Sequence, residues 1–152
     1  MKKLAILFPL VLLIMMPISL MAQSNEVLDD FLDRDEADLG TTSYLILAAA
    51  GIIDESAAVE DALDWIMKSD ELTKIEDISS GRSISYGEFS YILMEVLELK
   101  GGLMYRLIPG PRYAAREAAY RKWLLGSYAP GRSLKPFEVM NTLTTVLEGE
   151  GS

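Results

Sequence analysis

Residues 81–98 read GRSISYGEFSYILMEVLE, and residues 131–148 read GRSLKPFEVMNTLTTVLE. Eight of the eighteen positions are identical without a gap. The identical pairs are Gly81/Gly131, Arg82/Arg132, Ser83/Ser133, Glu88/Glu138, Leu93/Leu143, Val96/Val146, Leu97/Leu147 and Glu98/Glu148. An internal repeat at this period indicates one supersecondary unit that has been copied and stacked. The repeat therefore favours a repeat-built interaction protein over an enzyme.

Apolar residues around this pattern recur at helical spacing, so the sequence predicts an all-α domain. Each copy supplies one helix, and a further helix precedes each copy, at 55–68 and at 112–125. The repeated unit is then helix, loop, Gly-Arg-Ser-aliphatic, helix, with copies at about 55–100 and 110–148. Such units cannot bury their apolar faces alone, so the two should pack on each other. The apolar helix predicted at 42–53 should cover them, and is at best a degenerate third copy.

The first 22 residues have the layout of a secretory signal peptide. Lys2 and Lys3 precede an apolar run from 4 to 21, and Ala22 ends the segment. An uncleaved membrane anchor is the alternative, because the run approaches the length that spans a bilayer. The chain has no cysteine, and export without disulfides favours a bacterial envelope or secreted protein. We therefore expect a periplasmic or secreted product cleaved near Ala22, divided into a signal peptide (1–22), an acidic lead-in (23–40) and a helical repeat domain (41–150).

The charge of the chain limits its partners. Without the signal segment it holds 12 basic and 23 acidic residues, a net charge of −11. This argues against nucleic acid and against an anionic membrane surface, so a membrane is expected only if the signal segment is retained. Residues 23–100 carry a net charge of −14, whereas residues 101–152 carry +3. Either the basic half faces the acidic half within the fold, or it carries a polar binding surface.

The composition removes most enzyme chemistry. There is no histidine and no cysteine, which excludes the commonest general base, thiol nucleophiles and the usual transition-metal ligands. No phosphate-binding glycine loop occurs either. We therefore predict a protein that is not an enzyme, with no catalytic residue, no metal ligand and no cofactor.

Calcium is the remaining inorganic candidate. Residues 77–88 have the length of an EF-hand loop, but Gly81 and Arg82 occupy its fifth and sixth positions, so any binding should be weak. A weak EF-hand-like calcium module is thus the second alternative function. The competing interpretation is structural: Ser85 caps a helix, with Glu88 completing a capping box. On that interpretation ten residues form a structural repeat motif: Gly81, Arg82, Ser83, Ile84, Glu88, Gly131, Arg132, Ser133, Leu134 and Glu138.

The sequence ISYGEF at 84–89 resembles the I-T-R-A-E-F signature of S-layer homology repeats, and LKPFEV at 134–139 is a weaker copy. The resemblance covers about 55–148 and implies helix–loop–helix repeats, of which that family tends to use three. It also implies binding of an anionic cell-wall polysaccharide through the arginine of the motif. Tyr86 and Pro136 stand at that position here, so the resemblance supports the architecture more than the ligand.

The C-terminal half carries a candidate binding surface of arginine and tyrosine, the residue types that dominate interfaces. Its members are Arg106, Arg112, Tyr113, Arg116, Tyr120 and Arg121. An apolar connector at 103–108 lies beside it, and packing into the core is the alternative role of this region. We predict an exported, non-enzymatic binding or scaffold protein of the bacterial cell envelope, with another envelope protein as partner. A cell-wall glycan-binding module of the S-layer homology type is the first alternative.

Overall fold

The computed structural model describes residues 27–124 and 126–150, and within these ranges every regular element is a helix. The helices, in chain order, are α1 (27–32), α2 (Leu39–Ala49), α3 (Val59–Lys68), α4 (Tyr86–Val96), α5 (Leu103–Leu107), α6 (Pro111–Tyr120) and α7 (Pro136–Glu150). They pack around one apolar core, so the prediction of an all-α single domain is confirmed. The predicted signal peptide, 1–22, lies outside the described residues.

Side-chain caps set where the helices begin. Asp38 accepts a hydrogen bond from the N–H of Thr41 at 2.8 Å, which starts α2 three residues before the predicted position. Ser85 caps α4, and the Glu88 carboxylate accepts the N–H of Ser85 at 3.0 Å, so the predicted capping box is confirmed. Pro111 occupies the first turn of α6, where its missing N–H costs nothing.

Three residues that precede α2, α4 and α7 form a closed ring of backbone hydrogen bonds. The N–H of Ala37 donates to the carbonyl of Leu134 at 2.7 Å. The N–H of Leu134 donates to the carbonyl of Ile84 at 3.3 Å, and the N–H of Ile84 donates to the carbonyl of Ala37 at 2.9 Å. All three residues are fully buried. Each one therefore uses both of its backbone polar groups inside the core, as burial requires.

The ring reveals a third helix–loop–helix unit. Ala37 takes the same place before α2 that Ile84 takes before α4 and Leu134 takes before α7. We therefore define unit 1 as α1 and α2, unit 2 as α3 and α4, and unit 3 as α6 and α7. The first helix of one unit packs on the second helix of the unit before it, α3 on α2 and α6 on α4. The N-terminal helix that was expected to cover the repeats is thus the second helix of a repeat itself.

Further backbone bonds flank the ring at two of its three junctions. They run from Leu39 to Arg82 (2.8 Å), Gly40 to Ser80 (3.1 Å), Tyr86 to Arg132 (2.8 Å) and Gly87 to Pro130 (2.8 Å), donor first. At the third junction Pro136 stands where units 1 and 2 have Leu39 and Tyr86. Proline has no N–H to donate, so the corresponding bond cannot form there.

Helix α4 lies at the centre of the domain. It packs against both α2 and α6, and its large side chains Phe89 and Tyr91 are almost completely buried. In the described ranges, no helix combines the length and the apolar character that crossing a membrane requires.

Gly87→Ala should destabilise the protein by about 1–3 kcal/mol through overpacking, although alanine favours helices more than glycine does. A Cβ at Gly87 would lie 3.0 Å from the carbonyl oxygen of Pro111 and 3.1 Å from that of Pro130. Gly81→Ala is the matched control, because a Cβ there meets no atom within 4 Å. Equal free energies of unfolding for the two variants in urea would contradict this close packing between units 2 and 3.

Candidate binding surface

The arginines of the repeated motif are engaged inside their own units. Arg82 donates two hydrogen bonds to the carboxylate of Glu88, at 3.1 and 2.8 Å, and a third to the carbonyl of Glu76 at 2.9 Å. Arg132 and Glu138 repeat the two-bond pair at the same distances. All four paired side chains are less than a quarter exposed. In units 2 and 3 the pair thus clamps the loop to the first turn of the second helix.

The clamp keeps both carboxylates ionised. Burial opposes the ionisation of Glu88, but the hydrogen bonds from Arg82 and Ser85 outweigh it, and the pKa of Glu88 lies below its ordinary value. Burial also opposes the ionisation of Glu138, and hydrogen bonds from Arg132 and from the N–H of Lys135 lower its pKa in the same way. The two copies therefore share their electrostatics as well as their geometry.

The calcium alternative finds no support in this geometry. Glu88 would be the last ligand of the EF-hand-like segment at 77–88, yet its carboxylate is bonded to Arg82 and Ser85. In the part of the chain that the structure describes, no group of three or more acidic side chains is arranged so that it could hold a metal ion.

The position of the S-layer homology arginine is buried in both copies. Tyr86 is 2% exposed, with the guanidinium of Arg132 5.1 Å from its ring centroid and Tyr128 packed edge-on against it. Pro136 is buried as well. Neither side chain can reach an external ligand, so a glycan would have to bind elsewhere on the protein.

Three of the six predicted binding residues meet in one cavity. Arg112, Tyr113 and Arg116 line a space of about 480 Å³ together with Ala119 and Tyr128. Helix α6 places the two arginines one turn apart on the same face. Tyr128 joins them from the next loop, where its O–H donates to the carbonyl of Arg112 at 3.3 Å. The volume lies within the range of about 300–1,000 Å³ that is usual for ligand sites.

The charge of this cavity is not neutralised by the described chain. Neither Arg112 nor Arg116 has a carboxylate within ion-pair distance in residues 27–124 or 126–150, whereas Arg34, Arg82 and Arg132 are each paired there. The idea that the basic half is balanced by the acidic half therefore does not describe these two side chains. An outward-facing positive site in an acidic protein is suited to an anionic partner group.

The other three predicted residues lie apart from this cavity. Arg106 lines a separate cavity of about 590 Å³ beside the end of α4. Arg121 donates to the carbonyl of Lys100, and its guanidinium lies 4.9 Å from the ring centroid of Trp123. Tyr120 stands in solvent, 84% exposed. The six predicted residues therefore do not form one surface. The cavity instead includes Tyr128, which was not among them.

Helix α5 exposes a cluster of apolar side chains. Leu103, Met104, Leu107 and Ile108 are 61, 50, 66 and 51% exposed, so packing into the core does not hold for them. Tyr105 is the buried residue of this helix. Helix α5 packs on α6, the helix that carries the two arginines of the basic cavity. We call the combined set the α5–α6 surface: Leu103, Met104, Leu107, Ile108, Arg112, Tyr113, Arg116 and Tyr128.

Comparisons with models of protein families, with curated proteins and with solved structures returned no match to this chain. The S-layer homology resemblance therefore rests on the motif residues alone, and the α5–α6 surface has to be interpreted from its own chemistry.

Glu88→Gln should cost about 1–2 kcal/mol at neutral pH, between the values for exposed and buried ion pairs. The folded pKa of Glu88 is lowered, so its stabilising contribution is complete above the ordinary glutamate pKa of about 4.3 and is lost as the pH falls through the lower folded value. In thermal denaturation at pH 7 the Tm of the wild type should exceed the Tm of the variant. The difference between the two Tm values should disappear as the pH falls towards 2.5. A gap that stays constant over this range would contradict the clamp. Glu76→Gln, which keeps the carbonyl that Arg82 uses, is the control and should change Tm little at either pH.

Proposed function

We propose that this chain is an exported, non-enzymatic scaffold of the bacterial cell envelope that binds another envelope protein through the α5–α6 surface. Residues 1–22 would direct export to the periplasm or the cell exterior and would be cleaved near Ala22. One observation carries the proposal: four apolar side chains are exposed on and just after α5, and the helix on which α5 packs carries two arginines that the described chain leaves without carboxylate partners.

The apolar part of the surface supplies affinity. Leu103, Met104, Leu107 and Ile108 are each at least half exposed, and covering them would yield roughly 25 cal/mol for each Å² removed from water. Their close succession on α5 and just beyond it is unlike the scattered apolar residues of an ordinary surface. A partner of matching apolar character is therefore favoured over open solvent.

The basic part of the surface supplies orientation. Arg112 and Arg116 would donate hydrogen bonds to carboxylates of the partner, and the rings of Tyr113 and Tyr128 would lie on either side of that contact. Residues 23–100 carry a net charge of −14, so the rest of the protein repels an acidic partner. Attraction at one place and repulsion elsewhere select a single docking mode.

A cell-wall glycan-binding module is the second candidate, and the cavity itself favours it. Two guanidinium groups and two tyrosine rings around about 480 Å³ could hold an anionic sugar. The repeat architecture also resembles the S-layer homology pattern. Against it stands the burial of Tyr86 and Pro136 at the position of the family's arginine.

Photocrosslinking in the native cell can distinguish the two candidates. A photoreactive amino acid at Leu107, which is 66% exposed, should give an adduct of discrete mass that protease removes and cell-wall hydrolase leaves intact. The same label at Met67, which is 62% exposed on α3, is the control and should not give that adduct. Arg112→Glu should lower the adduct yield at least about tenfold, as expected at a binding hot spot. Lys68→Glu, a charge reversal at an exposed residue of α3, should leave the yield unchanged.

Two results would contradict the protein-partner proposal. One is binding of the wild-type chain to protein-free cell-wall sacculi that Arg112→Glu abolishes, which would establish the glycan function. The other is an adduct at Leu107 whose yield is the same in Arg112→Glu and in the wild type, which would remove the basic cavity from the interface.

A further inference from the structure

A second open groove lies between α7 and the loop that follows α6. It has a volume of about 400 Å³, with Trp123 and Phe137 among its apolar walls and Asn141 and Thr145 on its helical side. Phe137 is 56% exposed although it is large and apolar. The α5–α6 surface contains none of these residues, so this groove is a separate feature of the molecule.

In unit 2 a large side chain occupies the position that corresponds to this groove. Matching Gly81 with Gly131 pairs Tyr91 with Asn141, and Glu95 with Thr145. Tyr91 is 1% exposed, and its O–H donates to the carbonyl of Glu71 in the loop after α3. The side chain of Tyr91 thus fills the space between its helix and its loop.

A second aromatic ring completes the filling in unit 2. Tyr105 of α5 packs edge-on against Tyr91, with ring centroids 6.4 Å apart, and its O–H donates to Glu95. Tyr105 is itself buried, 6% exposed. Tyr91 is therefore covered by a tyrosine that a short helix of apolar residues presents, while Tyr105 and Glu95 also border the cavity of about 590 Å³ at the end of α4.

Unit 3 has a similar connection between its second helix and its loop, but it lacks the aromatic side chain that fills the space in unit 2. Thr142 donates to the carbonyl of Trp123 at 3.1 Å, which ties α7 to its loop as Tyr91 ties α4 to Glu71. Asn141 is much smaller than the tyrosine it replaces, and the space beside it stays open. Asn141 and Thr145 line an open groove, whereas Tyr105 packs on Tyr91 and bonds to Glu95 at the corresponding positions of unit 2.

We propose that this groove binds an aromatic side chain, tyrosine best, that a partner protein presents on a short apolar segment like α5. The ring would pack against Trp123 and Phe137, where edge-to-face contacts between aromatic rings are favourable. The phenol O–H would reach the amide of Asn141 or the hydroxyl of Thr145, in place of the Glu95 carboxylate that Tyr105 uses. In this proposal a partner protein supplies to unit 3 the tyrosine ring that α5 of the same chain supplies to unit 2.

A peptide that copies residues 101–108, GGLMYRLI, is the probe. Added to the isotopically labelled mature chain, it should shift the NMR signals of the Trp123 indole and of the backbone amides of Asn141 and Thr145, and the shifts should saturate. The same peptide with its tyrosine replaced by alanine should bind at least about tenfold more weakly, because it lacks the anchoring ring.

Asn141→Tyr is the decisive variant, because it restores the side chain that unit 2 carries at this position. It should retain its Tm and weaken peptide binding at least about tenfold. Asn141→Ala is the matched control; it leaves the groove open and should bind the peptide within about threefold of the wild type, because the ring contacts that anchor the peptide are retained.

Three outcomes would overturn the proposal. The first is that the peptide causes no NMR shifts in unit 3, and the second is that Asn141→Tyr and the wild type bind the peptide equally. The third is that the signals of the groove residues shift when the protein concentration is raised without peptide. In the last case, loss of the shifts in Tyr120→Ala would identify the occupant as a second copy of this chain, since Tyr120 has the most exposed large hydrophobic side chain in the part of the chain that the structure describes. None of these outcomes affects the α5–α6 surface.

Discussion

The three backbone hydrogen bonds that join Ala37, Ile84 and Leu134 are the constraint on which the rest of the domain depends. Each of these residues lies two positions before the first residue of a helix, so fixing the ring fixes the origin of α2, α4 and α7 together. The ring is fully buried, and breaking one bond would leave a donor and an acceptor without partners in the core, at about 1–3 kcal/mol for each group. The first helices of units 2 and 3, α3 and α6, then pack on the second helices of the units before them, α2 and α4.

This arrangement divides the residues into those that build the units and those that are free to bind. The motif arginines and glutamates are bonded to each other, and Tyr86 is enclosed between Arg132 and Tyr128. The binding surfaces that we propose therefore lie where the units differ. The α5 connector exists between units 2 and 3 alone, the basic cavity belongs to α6, and the open groove of unit 3 arises where Asn141 replaces Tyr91.

The sequence predicted well what depends on local side-chain patterns. Ser85 and Glu88 form the expected capping box, and Arg112 and Arg116, two of the six residues named for one surface, line the same cavity. It missed unit 1, because the segment before α2 reads DEADLG and shares with GRSISYG only the glycines Gly40 and Gly87. Backbone hydrogen bonds require no particular side chain, so the ring leaves little trace in the sequence.

Two features of the binding surfaces were also beyond sequence reasoning. Tyr128 lies in an irregular loop, where no periodicity relates it to α6, and it reaches the cavity through the tertiary fold. The exposure of Leu107 and its neighbours was not predicted, because apolar composition cannot distinguish a buried connector from an exposed one.

Native-state hydrogen exchange of the Ala37, Ile84 and Leu134 amides tests the ring most directly. All three lie outside the helices, in positions where loop amides ordinarily exchange through small local openings. If the ring holds the three units together, these amides exchange only through global unfolding, with the same free energy as the most protected amides of α4. Exchange of any one of them at loop rates while α4 remains protected would contradict the account.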